Sequence, residues 1–266
     1  MTDFETASSC IPAKSSKIQF DEDNVNLVKD KHPALILGFL GAGLVGDIAA
    51  TELIEQLKME QIGVVITEDL PAMAVFKNGI LQHPFRLYYS GEKNILVGIC
   101  EIPFNKSDTY SDLARLISGW ALDIDIDEIC VIQGLSEQGL PMEHPVYVAA
   151  EKEIIDRISE KSDTETLPKG LIMGPEAAVL NEGLNNRLNC YALLTPVNPS
   201  IPDPAAAAVC IEQLNKIYSL NIDTKKLHEE SDEIKQKLKE LSQKTEQQHR
   251  KMLSTSKASE SGGMYL

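Results

Sequence analysis

Short apolar runs alternate along the chain with stretches in which apolar residues recur every three or four positions, the pattern of buried strands interleaved with amphipathic helices. Ala34 to Leu37 (ALIL) reads as a buried strand, and Gly38, Gly41, Gly43 and Gly46 punctuate the turn after it. From Leu44 to Lys58 the residues Ala50, Leu53, Ile54 and Leu57 predict a helix with one buried face, and Gln61 to Ile66 (QIGVVI) a second strand. Phe85 to Tyr89, a turn at Ser90-Gly91-Glu92-Lys93, and Asn94 to Ile102 interrupt this β-α-β opening with an antiparallel hairpin. A helix capped by Ser107 or Asp108 and carrying Tyr110, Leu113, Ile117 and Trp120 on one side leads to a strand over Glu128 to Gln133.

Alternation then resumes. Strand segments at Val146 to Ala149, Gly170 to Met173 and Asn189 to Leu194 are separated by an acidic helix from Glu151 to about Ser159 and a helix over Ala177 to Asn186. Asp203-Pro204 starts the final domain helix, Ala205 to Tyr218, because an Asp side chain accepts from free amides and Pro needs no donor in the first turn. The expected fold is a three-layer α/β/α domain with a mostly parallel mixed sheet, followed by a C-terminal charged helix and a flexible tail.

The polar and apolar positions divide the chain into four parts. Residues 1–30 read as a flexible N-terminal arm, 31–222 as the α/β domain, 223–253 as a charged helix and 254–266 as a flexible tail. Ile234, Leu238 and Leu241 form a narrow seam on the charged helix, which suits either a short inter-subunit coiled coil or a solvated helix docked on its own domain. The tail runs Ser254 to Gly263 (STSKASESGG), yet ends on the apolar tip Met264-Tyr265-Leu266.

Charge narrows the function. The formal net charge is −15 over 266 residues, the wrong sign for nucleic acid or an anionic membrane surface. Residues 223–266 carry +1, so the acidity belongs to the body. Aromatics are only 5%, too few for a base-stacking platform. Cys10, Cys100, Cys130, Cys190 and Cys210 stand far apart without a CxxC spacing and read as reduced core thiols. The first residues do not resemble a signal peptide, and no apolar run approaches the roughly 20 residues of a membrane span. A cytoplasmic location is expected.

Gly41-Ala42-Gly43-Leu44-Val45-Gly46 is a literal G-x-G-x-x-G between strand and helix, with Glu68 and Asp69 beyond the next strand. A nucleotide-binding enzyme using the Gly-rich loop 38–46 is therefore one reading. Against it, Phe39 and Leu40 separate the strand from the motif, and the hairpin breaks the dinucleotide-fold order. The other reading is a structural turn allowing close strand–helix packing. His32, His83 and His144 each precede Pro, which suits turns, and Glu137, Glu143 and His144 share the Gly134 to Pro145 loop. Serines lack the G-x-S-x-G elbow and no Cys has a visible base. No catalytic constellation, metal-ligand set or cofactor is expected.

Three segments in order resemble the proteasome assembly chaperone family, specifically archaeal homologues of its second eukaryotic member. They are Gly38 to Ala50 (GFLGAGLVGDIAA) with the helix to Leu57 and Gln61-Ile62-Gly63, then Ile201 to Leu220 (IPDPAAAAVCIEQLNKIYSL) with Asn221-Ile222-Asp223-Thr224, and the last three residues. The resemblance covers Pro33 to Leu241. Met264-Tyr265-Leu266 is similar to the hydrophobic-Tyr-any terminus by which proteasome activators and some of these chaperones dock on the core particle. The resemblance implies a non-enzymatic homo-oligomer whose partners are proteasome core particle α-subunits.

Overall fold

The computed structural model describes residues 16–20, 25–67, 70–104 and 110–241. The chain divides into two compact units, Met1–Thr224 and Lys225–Leu266. In the first, a nine-stranded sheet runs in the order β1-β3-β6-β7-β2-β8-β11-β9-β10. Its strands are β1 (Lys17–Phe20), β2 (Ala34–Phe39), β3 (Glu60–Ile66), β6 (Phe85–Ser90), β7 (Ile95–Cys100), β8 (Glu128–Ser136), β9 (Tyr147–Ala150), β10 (Glu165–Thr166) and β11 (Cys190–Val197). The central run β7-β2-β8-β11 is parallel. Antiparallel pairings lie to either side, β1 to β3, β3 to β6 and β6 to β7 on one and β11 to β9 on the other. A separate two-stranded hairpin, β4 (Val75–Lys77) and β5 (Ile80–Gln82), is inserted before β6.

The helices are α1 (Val25–Val28), α2 (Val45–Gln56), α3 (Tyr110–Asp123), α4 (Lys152–Lys161), α5 (Pro175–Asn186) and α6 (Pro204–Tyr218). All six residues of β2 are buried because helices cover both faces of the sheet. Leu35, Leu37 and Phe39 point into the cluster that holds Leu113 and Ile117 of α3 and Val179 of α5. The intervening Gly38 faces the other way, onto Ala50 of α2. Helix α6 packs beside α2 on that second face, which completes the three layers. The second unit contains a helix, α7, over residues 225–241, laced by the i,i+4 ion pairs Lys226–Glu230 and Lys237–Glu233.

Several expectations need correction. Residues 17–20, assigned to the arm, form edge strand β1, in which Ile18 and Phe20 alternate with Lys17 and Gln19, and Phe20 packs on Trp120 with ring centroids 5.6 Å apart. Four residues among acids were too short an alternation to stand out. Gly170 to Met173 is not a strand, and β10 at Glu165–Thr166 takes the place beside β9. Leu171 and Met173 instead lie exposed on the surface. The expected cap at Ser107 or Asp108 falls outside the described residues, as do residues 242–253 of the charged segment and the whole of 254–266.

Candidate functional site

The glycine-rich turn sits at the carboxyl ends of β2, β8 and β11, where open α/β sheets commonly place their ligands. Here the space directly against the glycines Gly38, Gly46 and Gly134 is filled by protein, and the open groove at these strand ends lies beside Ala42. A Cβ on Gly38 would stand 2.2 Å from the carbonyl oxygen of Gly46, and one on Gly46 would stand 2.7 Å from that of Ile132. A Cβ on Gly134 would meet the Ala42 carbonyl at 2.4 Å. These three glycines let α2 and the turn lie directly on β2 and β8. Gly43 has φ +65° and is covered by Val197, while its carbonyl accepts from the Asp203 amide at 2.8 Å. The glycines thus serve close strand–helix packing.

The electrostatics agree. Glu176, in the first turn of α5, is only 2% exposed, with Oε1 3.5 Å from the position of a Cβ on Gly41. Burial pushes its carboxyl up to about 7. Asp47, in the first turn of α2, is raised to about 6, first by burial and then by the neighbouring Glu101 charge. Among the described residues its Oδ1 has no hydrogen-bond partner. A pyrophosphate seeking amide donors and positive potential would meet the buried Glu176 carboxyl beside Gly41 and the half-buried Asp47 carboxyl in the first turn of α2. The geometry therefore gives the nucleotide reading no support.

The histidines do not converge. His32 pairs with Asp125 at 3.0 Å on the surface, and the His83 carbonyl accepts from Arg86. His144 is buried, but it turns away from Glu137 and Glu143, both exposed, toward β11 and α6. Its Nδ1 lies 3.0 Å from the Pro196 carbonyl, which only accepts, so that nitrogen carries its proton. Its Nε2 lies 3.6 Å from Asp203 Oδ1, beyond hydrogen-bond reach, and among the described residues it has no hydrogen-bond partner, while the same Asp203 oxygen accepts from the Ala206 amide at 3.1 Å. Asp203 is thus the helix cap its sequence predicts, and His144 ties the β8–β9 loop to β11 through the Pro196 carbonyl. Among the described residues no group of three His, Cys, Asp or Glu side chains could hold a metal. The free thiols Cys100, Cys190 and Cys210 are pushed by burial to about 12, which leaves them protonated and unreactive.

Apolar surfaces remain, among them the following two. A groove of about 610 Å³ above β8 is lined by Ala42, Gln133, Gly134, Leu135, Met173 and Pro199. Leu171, 77% exposed, also lines it. The β4–β5 hairpin is the second surface, and the sequence reading passed over it. Its Asn78-Gly79 turn, with φ +53° and +78°, is a strong short-range hairpin signal. Phe76 and Leu81 face each other across its strands, 70% and 74% exposed.

The sequence model of the PAC2 family matches residues 35–242. The chain belongs to the PAC2 family. This PAC2 protein is 30% identical to a structure of a Thermoplasma acidophilum protein with unknown function, over 86% of this chain and 94% of that one, with a TM-score of 0.70. It is 26% identical to Pyrococcus furiosus PbaA, an archaeal homolog of proteasome-assembly chaperone, over 95% and 100% of the two chains, with a TM-score of 0.76. Pyrococcus furiosus PbaB, an archaeal proteasome activator, shares the fold at 21% identity and a TM-score of 0.73, over 86% and 99%. Neither Pyrococcus description is that of an enzyme. Among the described residues of this PAC2 protein, no helix is long and apolar enough to cross a membrane.

Proposed function

We propose that this PAC2 protein is a proteasome assembly chaperone or adaptor/activator that docks on the α-ring of the 20S core particle through Met264, Tyr265 and Leu266. Membership of the PAC2 family carries the proteasome reading, and the kinship with PbaA supports it. The terminal tripeptide supplies the contact. Tyr265 is a rigid ring with a polar end, Met264 an adaptable apolar neighbour, and the Leu266 carboxylate an anion for a lysine between α-subunits. The ten residues Ser254 to Gly263 give a reach of roughly 18 Å for a flexible Gly/Ser-type chain.

One such tail binds weakly. A homo-oligomer presents several at once and gains about 10²- to 10⁴-fold in avidity, so self-association is part of the proposal. The setting is the cytoplasm. Core particle should be captured by the full-length chain, and capture should be lost with a chain ending at Gly263. Tyr265→Ala should lose most affinity, about 2 kcal/mol, as an anchoring aromatic does. Equal capture by the truncated chain would sink the docking role.

A further inference from the structure

We infer that Asn78 is a self-modifying site, converted in the folded chain to aspartate and isoaspartate by attack of the Gly79 amide nitrogen, and that this conversion undoes the β4–β5 hairpin. Asn78-Gly79 is the only Asn-Gly pair in the 266 residues. The pair forms the whole two-residue turn, since the ladder closes at Lys77↔Ile80 and leaves the Gly79 amide outside it. Both residues are exposed, and both have positive φ, +53° and +78°. Nothing stands within 4 Å of where a Cβ on Gly79 would lie, so no neighbour crowds the backbone there. Every other asparagine precedes a residue larger than glycine, and Asn94, Asn189 and Asn215 have their side-chain amides bonded to backbone carbonyls.

Hydroxide takes the Gly79 amide proton, and the nitrogen attacks Cγ of Asn78. The Cγ–Nδ2 bond breaks, ammonia leaves, and a five-membered succinimide forms. Water then opens the ring at one of its two carbonyls, giving aspartate or an isoaspartate whose chain runs on through Cγ. One water is consumed and one ammonia released. Residues 70–84 contain no Asp or Glu to repel the base, in a protein carrying −15 overall. The turn must flex to bring the nitrogen to Cγ, and a two-stranded hairpin outside the main sheet is marginal enough to open at its tip. Aspartate places a new negative charge beside Lys77, whose ammonium Glu55 holds at 2.7 Å. Isoaspartate does more, adding one carbon to the backbone of a turn built for two residues. The Phe76↔Leu81 and Val75↔Gln82 pairings then lose their register, and the exposed Phe76–Leu81 face is lost as the molecule ages.

The test incubates the full chain in neutral and in mildly alkaline buffer and then cleaves it after Glu, which releases the peptide 69–92 with Asn78 as its only asparagine. Mass spectrometry should show an amide-to-acid exchange in that peptide, faster in alkali, while the peptides holding Asn94 and Asn189 stay unchanged. The product should separate into two species of equal mass, one of them a substrate for isoaspartyl methyltransferase. Chymotrypsin should cut the incubated chain after Phe76 or Leu81 several-fold faster than the fresh chain. Asn78→Gln, whose ring closure needs one more atom, should show neither the mass change nor the faster cleavage. An Asn78 amide that persists while a synthetic 69–92 peptide converts fully overturns the site. A product without isoaspartate overturns the succinimide route, and unchanged cleavage overturns the effect on the hairpin.

Discussion

Gly38 and Gly46 meet backbone to backbone, the Cβ position of the first lying 2.2 Å from the carbonyl oxygen of the second. Neither a rotamer change nor a small side-chain shift relieves a methyl group placed there. Gly38→Ala should destabilise the domain by about 3 kcal/mol, at the upper end of ordinary overpacking. Gly119→Ala, on the exposed face of α3 where a Cβ meets nothing within 4 Å, should gain about 0.5–1 kcal/mol from helix propensity. Urea unfolding of both variants checks the contrast. A nucleotide panel should leave the thermal midpoint of the wild type unmoved.

Asp203 caps α6 and faces His144 at the same oxygen. Asp203→Ala should cost about 1–2 kcal/mol from the cap alone, and by removing the oxygen that faces His144 should loosen the loop on which His144 sits. Asp203→Asn keeps a cap acceptor and should recover most of the stability. Hydrogen exchange of residues 137–146 should rise more in the alanine variant than in the asparagine variant. Equal exchange in the two would show that the cap bond does not hold the loop.

Glu176 and Asp47 make stability fall as pH rises. Each native carboxyl holds its proton more tightly than in the unfolded chain, Asp47 at about 6 against 3.8 and Glu176 at about 7 against 4.5. Below the lower value of each pair both states are protonated and nothing is lost. As pH climbs to the upper value the unfolded chain ionises first, and the native state is penalised. Between pH 4.5 and 8 the two groups together should cost about 4 kcal/mol, after allowance for the partial exposure of Asp47. Asp47→Asn with Glu176→Gln should flatten that part of the profile in denaturant unfolding.

Glu128 is 3% exposed and is paired with Arg157, whose own charged form is favoured chiefly by that bond. Arg157→Ala would leave the buried carboxylate without its cation, with the Tyr218 hydroxyl as remaining partner, and should cost about 3 kcal/mol. Replacing Glu128 by Gln in the same background should restore part of that loss, which a double-mutant cycle would measure.

The sequence made the layered core legible because β2 and β8 are covered on both faces and so read as unbroken apolar runs. Asp203-Pro204 was legible for a local reason, as its cap bond spans only three residues. The Gly41 to Gly46 motif misleads because spacing does not reveal what each missing Cβ would touch. Only the Gly46 and Ile132 carbonyls show that the room is taken. His144 with Asp203 was hidden because residues distant in sequence meet only after β8 and β11 align. The β4–β5 hairpin was visible in Asn78-Gly79, but its three-residue strands gave the alternation little length.

The outermost strands of the sheet are both short, β1 with four residues and β10 with two. Each presents too few open amides and carbonyls to template another chain. Copies of this protein are thereby steered away from endless edge-to-edge polymerisation, and any assembly they form must be built from side-chain surfaces that can be saturated.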